Sequence, residues 1–373
     1  MMNNHPTKMT AIGALVAVCV SAPSFGGNHG GASPCAQTAR TLYAACRLDI
    51  FDDYNVSEAN CLNLNDDGER RACRREAKTT LREAFEACFD QREARVETCA
   101  VLDEERYDPD PLLDPGIEFV DPDDVGPAQA NPYVSIVAGH THVLREEDET
   151  IIVHATDETK EINGVTCRVV VDAVVETDTD DETGEVDYEP VEVTDDWLAQ
   201  DTNGDVYYCG ELARNFEDGE LTDLDGSFKA GVEGAKSGIW ILAAPELGIA
   251  HRQEYALGEA EDVVEYVDFA AVPAEENPRF PCSAAGGCLQ TYDFTPLEPD
   301  VAEYKYYLPG VGFVMGEALE DGLPTGERAD LVCIGDSLDV LHDPDCDIDD
   351  PDALLEKLCE LSPDAFCDDP DDS

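Results

Sequence analysis

The residues of this chain whose types and spacing could support metal chemistry are histidines and aspartates in alternation. His140 and His142 stand two residues apart in "GHTHVL", and a β-strand would place both side chains on one face. His154 follows on the next predicted strand. Imidazole nitrogens are common ligands of Zn²⁺ and Cu²⁺, so a register that brought His154 beside the pair would form a zinc or copper site. The alternative is a sheet face whose histidines bind no metal.

A second candidate metal site is the acidic stretch "DPDCDIDDPD" near the C-terminus. Its carboxylates alternate with other residues at Asp343, Asp345, Asp347 and Asp349. Clustered oxygen ligands suit Ca²⁺, although the turn glycine of an EF-hand is missing, and a solvated acidic segment is the alternative. The loop 177–185 is a similar but weaker candidate. "DTNGDVYYCGEL" begins with EF-hand spacing and departs from it at Val206, so we prefer a hairpin turn there.

The N-terminal residues predict export. Lys8 precedes "MTAIGALVAVCVSA", an apolar run that is too short to span a bilayer and is typical of a secretory signal peptide. We expect residues 1–26 to be removed by cleavage after Gly26. His29 would then be the third residue, where the free amine, two amides and the imidazole can form a square-planar Cu²⁺ site. A disordered glycine-rich leader is the alternative.

The cysteines predict disulfide bonds, and therefore an oxidising compartment. Six of them, between positions 35 and 99, are separated by 10, 14, 11, 14 and 10 residues, which is nearly a palindrome. Ten intervening residues correspond to about three helical turns, so two antiparallel helices can be linked twice. The predicted pairs are Cys35–Cys99 and Cys46–Cys88, with Cys61–Cys73 closing the connection. A metal site is the rival interpretation, but cysteine ligands usually come in tighter pairs such as C-x2-C.

Eight further cysteines lie in the second half of the chain. Cys167 and Cys209 fall in separate predicted strands and are expected to pair across the sheet. Cys282 and Cys288 are close enough to close a small loop. The last four, which we leave without assigned partners, could tie down the C-terminal segment; they are Cys333, Cys346, Cys359 and Cys367.

The chain is strongly acidic, with 84 acidic and 23 basic residues and a net charge of −61. Nucleic acid and anionic membrane surfaces would repel it. The imbalance is uneven, because residues 35–106 hold 16 acids and 11 bases whereas residues 107–373 hold 68 and 11. Adaptation to high salt and binding of divalent cations are two compatible explanations of the bulk charge.

Composition along the chain predicts an α+β protein. A flexible leader (27–34) precedes a cysteine-stapled helical hairpin (35–105), whose second arm lacks proline and is poor in β-branched residues. Residues 106–131 form an Asp/Pro-rich linker. About ten short alternating runs separated by turn residues then predict a mainly antiparallel β domain (132–335), a curled sheet, barrel or sandwich. An acidic tail (336–373) with one short helix near 351–361 follows.

The β domain resembles a known group of sequences. The motifs "NPY", "TDETKEINGVTCRVV", "AQDTNGDVYYCGE", "FTPLEP" and "EYKYYLPGVGFV" are similar to those of uncharacterised secreted bacterial proteins, over roughly residues 131–318. The resemblance implies a β-rich fold and a secreted location, and no chemical activity. This chain departs from the group by the insertion "PCSAAGGC".

The functional expectations follow from these features. Sequence signatures of serine hydrolases, zinc proteases and nucleotide-binding loops are absent, so no catalytic residue is predicted. The leading prediction is a secreted, periplasmic or extracellular binding or structural protein, stabilised by Ca²⁺ and suited to high salt. Its partner would be another protein or a small apolar ligand held inside a closed sheet. The alternatives are copper or zinc handling, a surface-assembly subunit that docks through the hairpin, and a hydrolase with an unrecognised site.

Overall fold

The computed structural model describes residues 33–104, 106–179, 186–320 and 322–367. The predicted signal peptide, the candidate copper ligand His29 and most of the acidic loop 177–185 lie outside the described residues. In the part that is described, disulfide-linked N-terminal helices are followed by a large antiparallel sheet that is nearly barrel-shaped. This architecture confirms the predicted α+β class.

The hairpin consists of two long helices, α1 (Pro34–Leu62) and α2 (Asp67–Val101). The Ser33 hydroxyl caps α1 by accepting a hydrogen bond from the backbone amide of Ala36, and the Asp66 carboxylate caps α2 in the same way. Three disulfides join the helices in the arrangement that the palindromic spacing predicts: Cys35–Cys99, Cys46–Cys88 and Cys61–Cys73. The two helices are therefore cross-linked at both ends and in the middle.

The sheet contains fifteen strands within the described residues, and three shorter helices accompany it. The strands are β1 (Thr141–Glu146), β2 (Glu149–Ile162), β3 (Val165–Thr179), β4 (Val186–Gln200), β5 (Val206–Glu217), β6 (Glu220–Asp223), β7 (Phe228–Lys229), β8 (Lys236–Ile241), β9 (Ala250–Arg252), β10 (Glu254–Tyr255), β11 (Val263–Ala271), β12 (Cys288–Phe294), β13 (Val301–Leu308), β14 (Gly312–Glu320) and β15 (Leu323–Gly335). The helices are α3 (Cys282–Ala285), α4 (Pro351–Leu361) and α5 (Pro363–Phe366). The helix expected near 351–361 is thus α4.

A single residue joins the two edge strands of the sheet. Its main strand order is β10-β8-β5-β4-β3-β2-β1-β15-β14-β13-β12-β11-β9, so the two edge strands are neighbours in the chain and only Gln253 separates them. The Gln253 amide donates to the Asp262 carbonyl at 2.8 Å, and its side chain donates to the Trp240 carbonyl at 3.0 Å. Gly238 allows this approach, because a Cβ there would lie 2.0 Å from the Gln253 carbonyl oxygen.

The C-terminal segment covers part of the outer face of the sheet. Leu354 and Leu358 of α4 and Phe366 of α5 pack with buried outward residues such as Val171 and Ile152. Two disulfides, Cys333–Cys346 and Cys359–Cys367, hold this segment in place. The acidic residues of the segment can face solvent while its apolar side chains complete a core.

The Asp/Pro-rich stretch also lies against the sheet. It contains two 3₁₀ turns, Pro111–Leu113 and Pro122–Asp124, each begun by an aspartate side chain that accepts a backbone amide hydrogen bond. Leu112 and Val125 are buried, and Phe119 forms a β-bridge with Asp201. The prolines and aspartates therefore form local turns on the sheet.

The base of the hairpin is anchored to the sheet by buried ion pairs. Arg95 of α2 donates to the Glu261 carboxylate through Nε and Nη2, and both side chains are almost fully buried. Arg252 of β9 donates to Glu104 at 2.8 Å. These contacts fix the end of the hairpin at which Cys35 and Cys99 pair.

Candidate functional site

A cavity of about 290 Å³ lies on the inner face of the sheet. Alternation directs side chains two positions apart on the strands that line it toward this space. One part of its wall is apolar or aromatic, formed by Leu144, Ile151, Val153, Ala155, Val170, Leu198, Trp240, Tyr307 and Phe313. Another part carries four carboxyl groups and one amine, from Glu146, Asp172, Asp196, Glu303 and Lys305. The cavity thus joins an apolar wall to a charged one.

Strand register explains why the two aspartates share the cavity. Asp172 of β3 lies opposite Val153 of β2, and Asp196 of β4 lies opposite Val170 of β3. Residues opposite each other on paired strands point to the same face, and positions two apart do so as well. Asp172 and Asp196 are therefore diagonal neighbours on the inner face.

The positive charge of Lys305 is balanced by two nearby carboxylates. Its Nζ lies 3.3 Å from Asp293 Oδ2 and 3.5 Å from Glu303 Oε2. Burial lowers the pKa of Lys305, but the attraction of Asp293 and Glu303 outweighs burial and the net pKa is well above its ordinary value. Gly316 leaves room for this arrangement, because a Cβ there would lie 1.9 Å from Glu303 Oε1.

Asp172 has no comparable compensation. Its Oδ1 atom is buried and lacks a hydrogen-bond partner among the described residues. The pKa of Asp172 is raised to about 8: burial is the main cause, the neighbouring acids Asp196 and Glu192 add to it, and Lys305 opposes them. The group is consequently protonated at neutral pH when nothing occupies the cavity.

Asp196 shares a proton network with Tyr208 and Glu211. The Tyr208 hydroxyl contacts Asp196 Oδ1 and lies 2.9 Å from Glu211 Oε2. A phenol has one proton to donate, so two hydrogen bonds to carboxyl oxygens require that one carboxyl group be protonated. Burial is the main reason that the pKa of Glu211 is raised to about 7 and that of Asp196 well above its ordinary value.

The structure brings two of the three predicted histidine ligands together. His140 Nε2 and His142 Nε2 are 3.2 Å apart at one side of the cavity, and His142 Nε2 is also 3.2 Å from the Val311 carbonyl oxygen. Burial lowers the pKa of His142 to about 3 and also lowers that of His140. Both imidazoles are therefore neutral and hydrogen-bonded at neutral pH.

His154 does not join that pair, which corrects the expected zinc or copper site. It lies opposite Thr141 in the β1–β2 register, so alternation places it on the face opposite to His140 and His142. Its Nδ1 lies 2.8 Å from the Thr141 hydroxyl, and its ring is close to Phe366 of α5. Across the described ranges, no three His, Cys, Asp or Glu side chains are grouped so that they could hold a metal ion.

The aspartates proposed for calcium lie on the surface of the C-terminal segment. Asp343 uses its Oδ1 to accept the backbone amide of Asp345 at 2.9 Å, which begins a 3₁₀ turn. All four carboxylates, of Asp343, Asp345, Asp347 and Asp349, are exposed. Calcium binding there stays a prediction.

The other segment with partial EF-hand spacing lies between β4 and β5. Asp201 accepts the amides of Asn203 and Asp205, which confirms the hairpin turn preferred over an EF-hand.

The remaining predicted disulfides are also present. Cys167 pairs with Cys209 and Cys282 with Cys288, as their positions predict.

Sequence reasoning missed the cavity residues Asp172, Asp196, Glu303 and Lys305. No local signal marked them: in "EYKYYL" Lys305 alternates with Tyr304 and Tyr306, and that pattern by itself would favour an interior position for the aromatic residues and an outward one for the lysine.

A second cavity, of about 250 Å³, lies between the base of the hairpin and the sheet. Four of its charged side chains are paired, Arg95 with Glu261 and Arg252 with Glu104, although Arg252 Nη1 is buried without a hydrogen-bond partner among the described residues, and Arg106 also lines the cavity. This cavity serves the attachment of the hairpin. The cavity inside the sheet has the unpaired carboxyl group and is the stronger candidate site.

Comparison with known proteins adds little. No protein-family model matches the chain, and no curated protein matches it. A solved structure from Bacteroides fragilis NCTC 9343 with a YmcC-like fold is 13% identical, covers 55% of this chain and 97% of its own, and superposes with a TM-score of 0.27. None of the helices in the described part of the chain has the length and apolar character needed to cross a membrane.

Proposed function

We propose that the protein is an extracytoplasmic binding protein that holds a small organic ligand in the cavity inside its barrel-like sheet. The observation that carries the proposal is the joining of an apolar wall to an unpaired buried carboxyl group, that of Asp172, in one cavity. A concave, mostly apolar space with a few polar groups is the usual form of a small-molecule site, and 290 Å³ lies just below the usual range of about 300–1,000 Å³.

Seven disulfides within the described residues support the location. Disulfides persist in the periplasm and outside the cell and are rare in reducing compartments. The predicted signal peptide is consistent with the same route.

Ligand binding can be followed by the fluorescence of Trp240, which lines the cavity. The second tryptophan, Trp197, faces outward beneath Lys160, so a Trp197→Phe background leaves Trp240 as the single reporter. Small molecules with an apolar body, beginning with a phenylpropyl series, are titrated into this variant. Saturable fluorescence change with at least one of them is the expected result.

A cavity-filling variant tests where such molecules bind. Val153→Phe adds volume inside the cavity, whereas Val301→Phe makes the same change at an exposed position of β13. We expect Val153→Phe to abolish binding and Val301→Phe to leave it unchanged. Equal binding by both variants, or no saturable binding to the parent, would refute the proposed function.

A further inference from the structure

The charged wall of the cavity has an excess of carboxyl groups. Four carboxyl side chains and one amine line it, and the amine of Lys305 is already shared between Glu303 and the neighbouring Asp293. The histidines at the other side contribute no positive charge, because both are neutral. Asp172 and Asp196 are therefore left without a cationic partner inside the cavity.

An unpaired buried carboxyl group is unfavourable unless another group satisfies it. Asp172 Oδ1 is buried and has no hydrogen-bond donor among the described residues. Asp196, only 7% exposed, has one interaction through its Oδ1, with the Tyr208 hydroxyl. A ligand that donates hydrogen bonds and carries positive charge would satisfy both groups, and such charge-assisted bonds are the strong ones.

The opposite wall would accept the remainder of such a ligand. Trp240, Tyr307 and Phe313 present aromatic surface to the cavity, and the aliphatic residues of β2 lie beside them. Aromatic faces also attract cations, Trp most strongly. Both walls thus favour a cation with an apolar body over an anion.

We propose that the ligand of this cavity is a cationic amine, with its ammonium group between Asp172 and Asp196 and its apolar body against Trp240, Tyr307 and Phe313. This inference rests on the proposed function and names the chemical class of its ligand. An anionic ligand would meet four carboxyl groups and a lysine whose charge is already compensated.

Three probes that share the same apolar group test whether the cavity prefers a cationic, a neutral or an anionic ligand. 3-Phenylpropylamine, 3-phenylpropanol and 3-phenylpropionate share the phenylpropyl group and differ in the charge of their polar end. With the Trp197→Phe variant at neutral pH and constant ionic strength, we expect the amine to bind at least tenfold more tightly than the alcohol. We expect the carboxylate to show no saturable binding.

Isosteric variants test which residue holds the amine. Asp172→Asn keeps the shape of the side chain but, unlike the carboxyl group, cannot ionise beside a bound ammonium group. We expect it to weaken amine binding at least tenfold while alcohol binding changes less than twofold. Asp300→Asn removes one charge from an exposed position and is the matched control. Circular dichroism and unfolding midpoints of both variants establish that they fold.

The outcomes distinguish this inference from the function on which it rests. Equal affinity for amine and alcohol, tighter binding of the carboxylate, or an unchanged amine affinity in Asp172→Asn would overturn the amine assignment while leaving a ligand cavity in place. If none of the three probes binds and no other small molecule does so, the proposed function fails as well.

Discussion

At the scale of single residues, several acidic side chains lie on the inner face of the sheet, and they differ in the groups that interact with them. Glu303 has Lys305 beside it, Asp196 has a tyrosine hydroxyl, and Asp172 has a buried oxygen with no partner. Burial acts on all three by disfavouring the charged form, so their partners decide how much of that effect is offset. Asp172 is the residue at which the cost of ionisation is least offset.

Replacement of Asp172 by asparagine should flatten the dependence of stability on pH. The folded-state pKa is raised to about 8 from an ordinary value near 4, so the native state retains a proton that the unfolded state releases. Stability therefore falls as the pH rises from about 4 to about 8, and is constant with respect to this group above that range. Lys305, Asp196 and Glu192 face the same carboxyl and set its environment.

The measurement is urea unfolding of the parent and of Asp172→Asn at pH 5 and pH 8. We expect the parent to lose more stability than the variant between these values, while Asp300→Asn follows the parent. Parallel losses in the parent and in Asp172→Asn would show that this carboxyl does not ionise with a raised pKa.

The Tyr208 hydroxyl offers a second test at the residue scale. Tyr208→Phe keeps the buried ring and removes the hydrogen bonds to Asp196 and Glu211. Loss of a buried hydrogen-bonding group that serves charged partners is expected to cost about 1–3 kcal/mol of unfolding free energy. Urea unfolding measures the change, with Tyr304→Phe at a half-buried position of β13 as the control. A loss no larger than in the control would contradict the proton network.

At the scale of elements, the contact between hairpin and sheet depends on a few buried charged groups. Arg95 and Glu261 are both almost fully buried and are joined by bidentate hydrogen bonds. A second pair, Arg74 with Glu58, lies within the hairpin and is much more exposed. The two pairs have similar chemistry and different burial, so they provide an internal comparison.

Arg95→Leu should destabilise the protein far more than Arg74→Leu. Removal of Arg95 leaves the Glu261 carboxylate buried without a counter-charge, which is expected to cost about 3–5 kcal/mol. The exposed pair is expected to contribute less than about 1 kcal/mol. Unfolding free energies in urea give both values, and similar losses in the two variants would argue against a buried, dominant ion pair at the base of the hairpin.

The closure of the sheet provides another prediction. Gly238→Ala would place a methyl group against the backbone of Gln253, which joins the two edge strands, and backbone cannot move aside as a side chain can. We expect a loss of about 1–3 kcal/mol. Gly116→Ala, at an exposed turn, is the control and should change stability by less than about 0.5 kcal/mol. An equally small effect at Gly238 would mean that the strands do not approach as closely as described.

At the scale of the whole molecule, 84 acids and 23 bases must coexist in one fold. Most of the acidic residues can stay hydrated because the strands present one face to solvent and because the C-terminal segment packs apolar side chains inward. The repulsion that remains among exposed carboxylates is long-ranged and is weakened by salt. Stability should therefore respond to ionic strength as a property of the entire surface.

We expect NaCl to raise the thermal unfolding midpoint of the oxidised protein, since screening relieves repulsion that is stronger in the compact state. A midpoint independent of NaCl would contradict this.

Millimolar Ca²⁺, compared with EDTA at matched ionic strength, tests the calcium prediction separately. A further rise that is lost in an Asp345→Asn, Asp349→Asn double variant would establish a site in the C-terminal segment, whereas an identical midpoint would end that prediction.

The sequence by itself determined the features that depend on neighbours along the chain. Cysteine spacing defined the three disulfides of the hairpin because helical pitch is constant, and the alternating runs and turn residues predicted an antiparallel sheet. The short helix expected near 351–361 is α4, Pro351–Leu361, which begins with a proline after the capping aspartate Asp350. Local geometry is enough for each of these.

Only the tertiary structure decided which polar residues meet. His140 and His142 share the inner face and His154 does not, because one residue of strand register determines the face on which a side chain lies. Among 84 acids, nothing local marks Asp172 or Asp196. They were selected by the closing of the sheet, which places strands that are distant in sequence around one cavity and removes water from the carboxyl groups there.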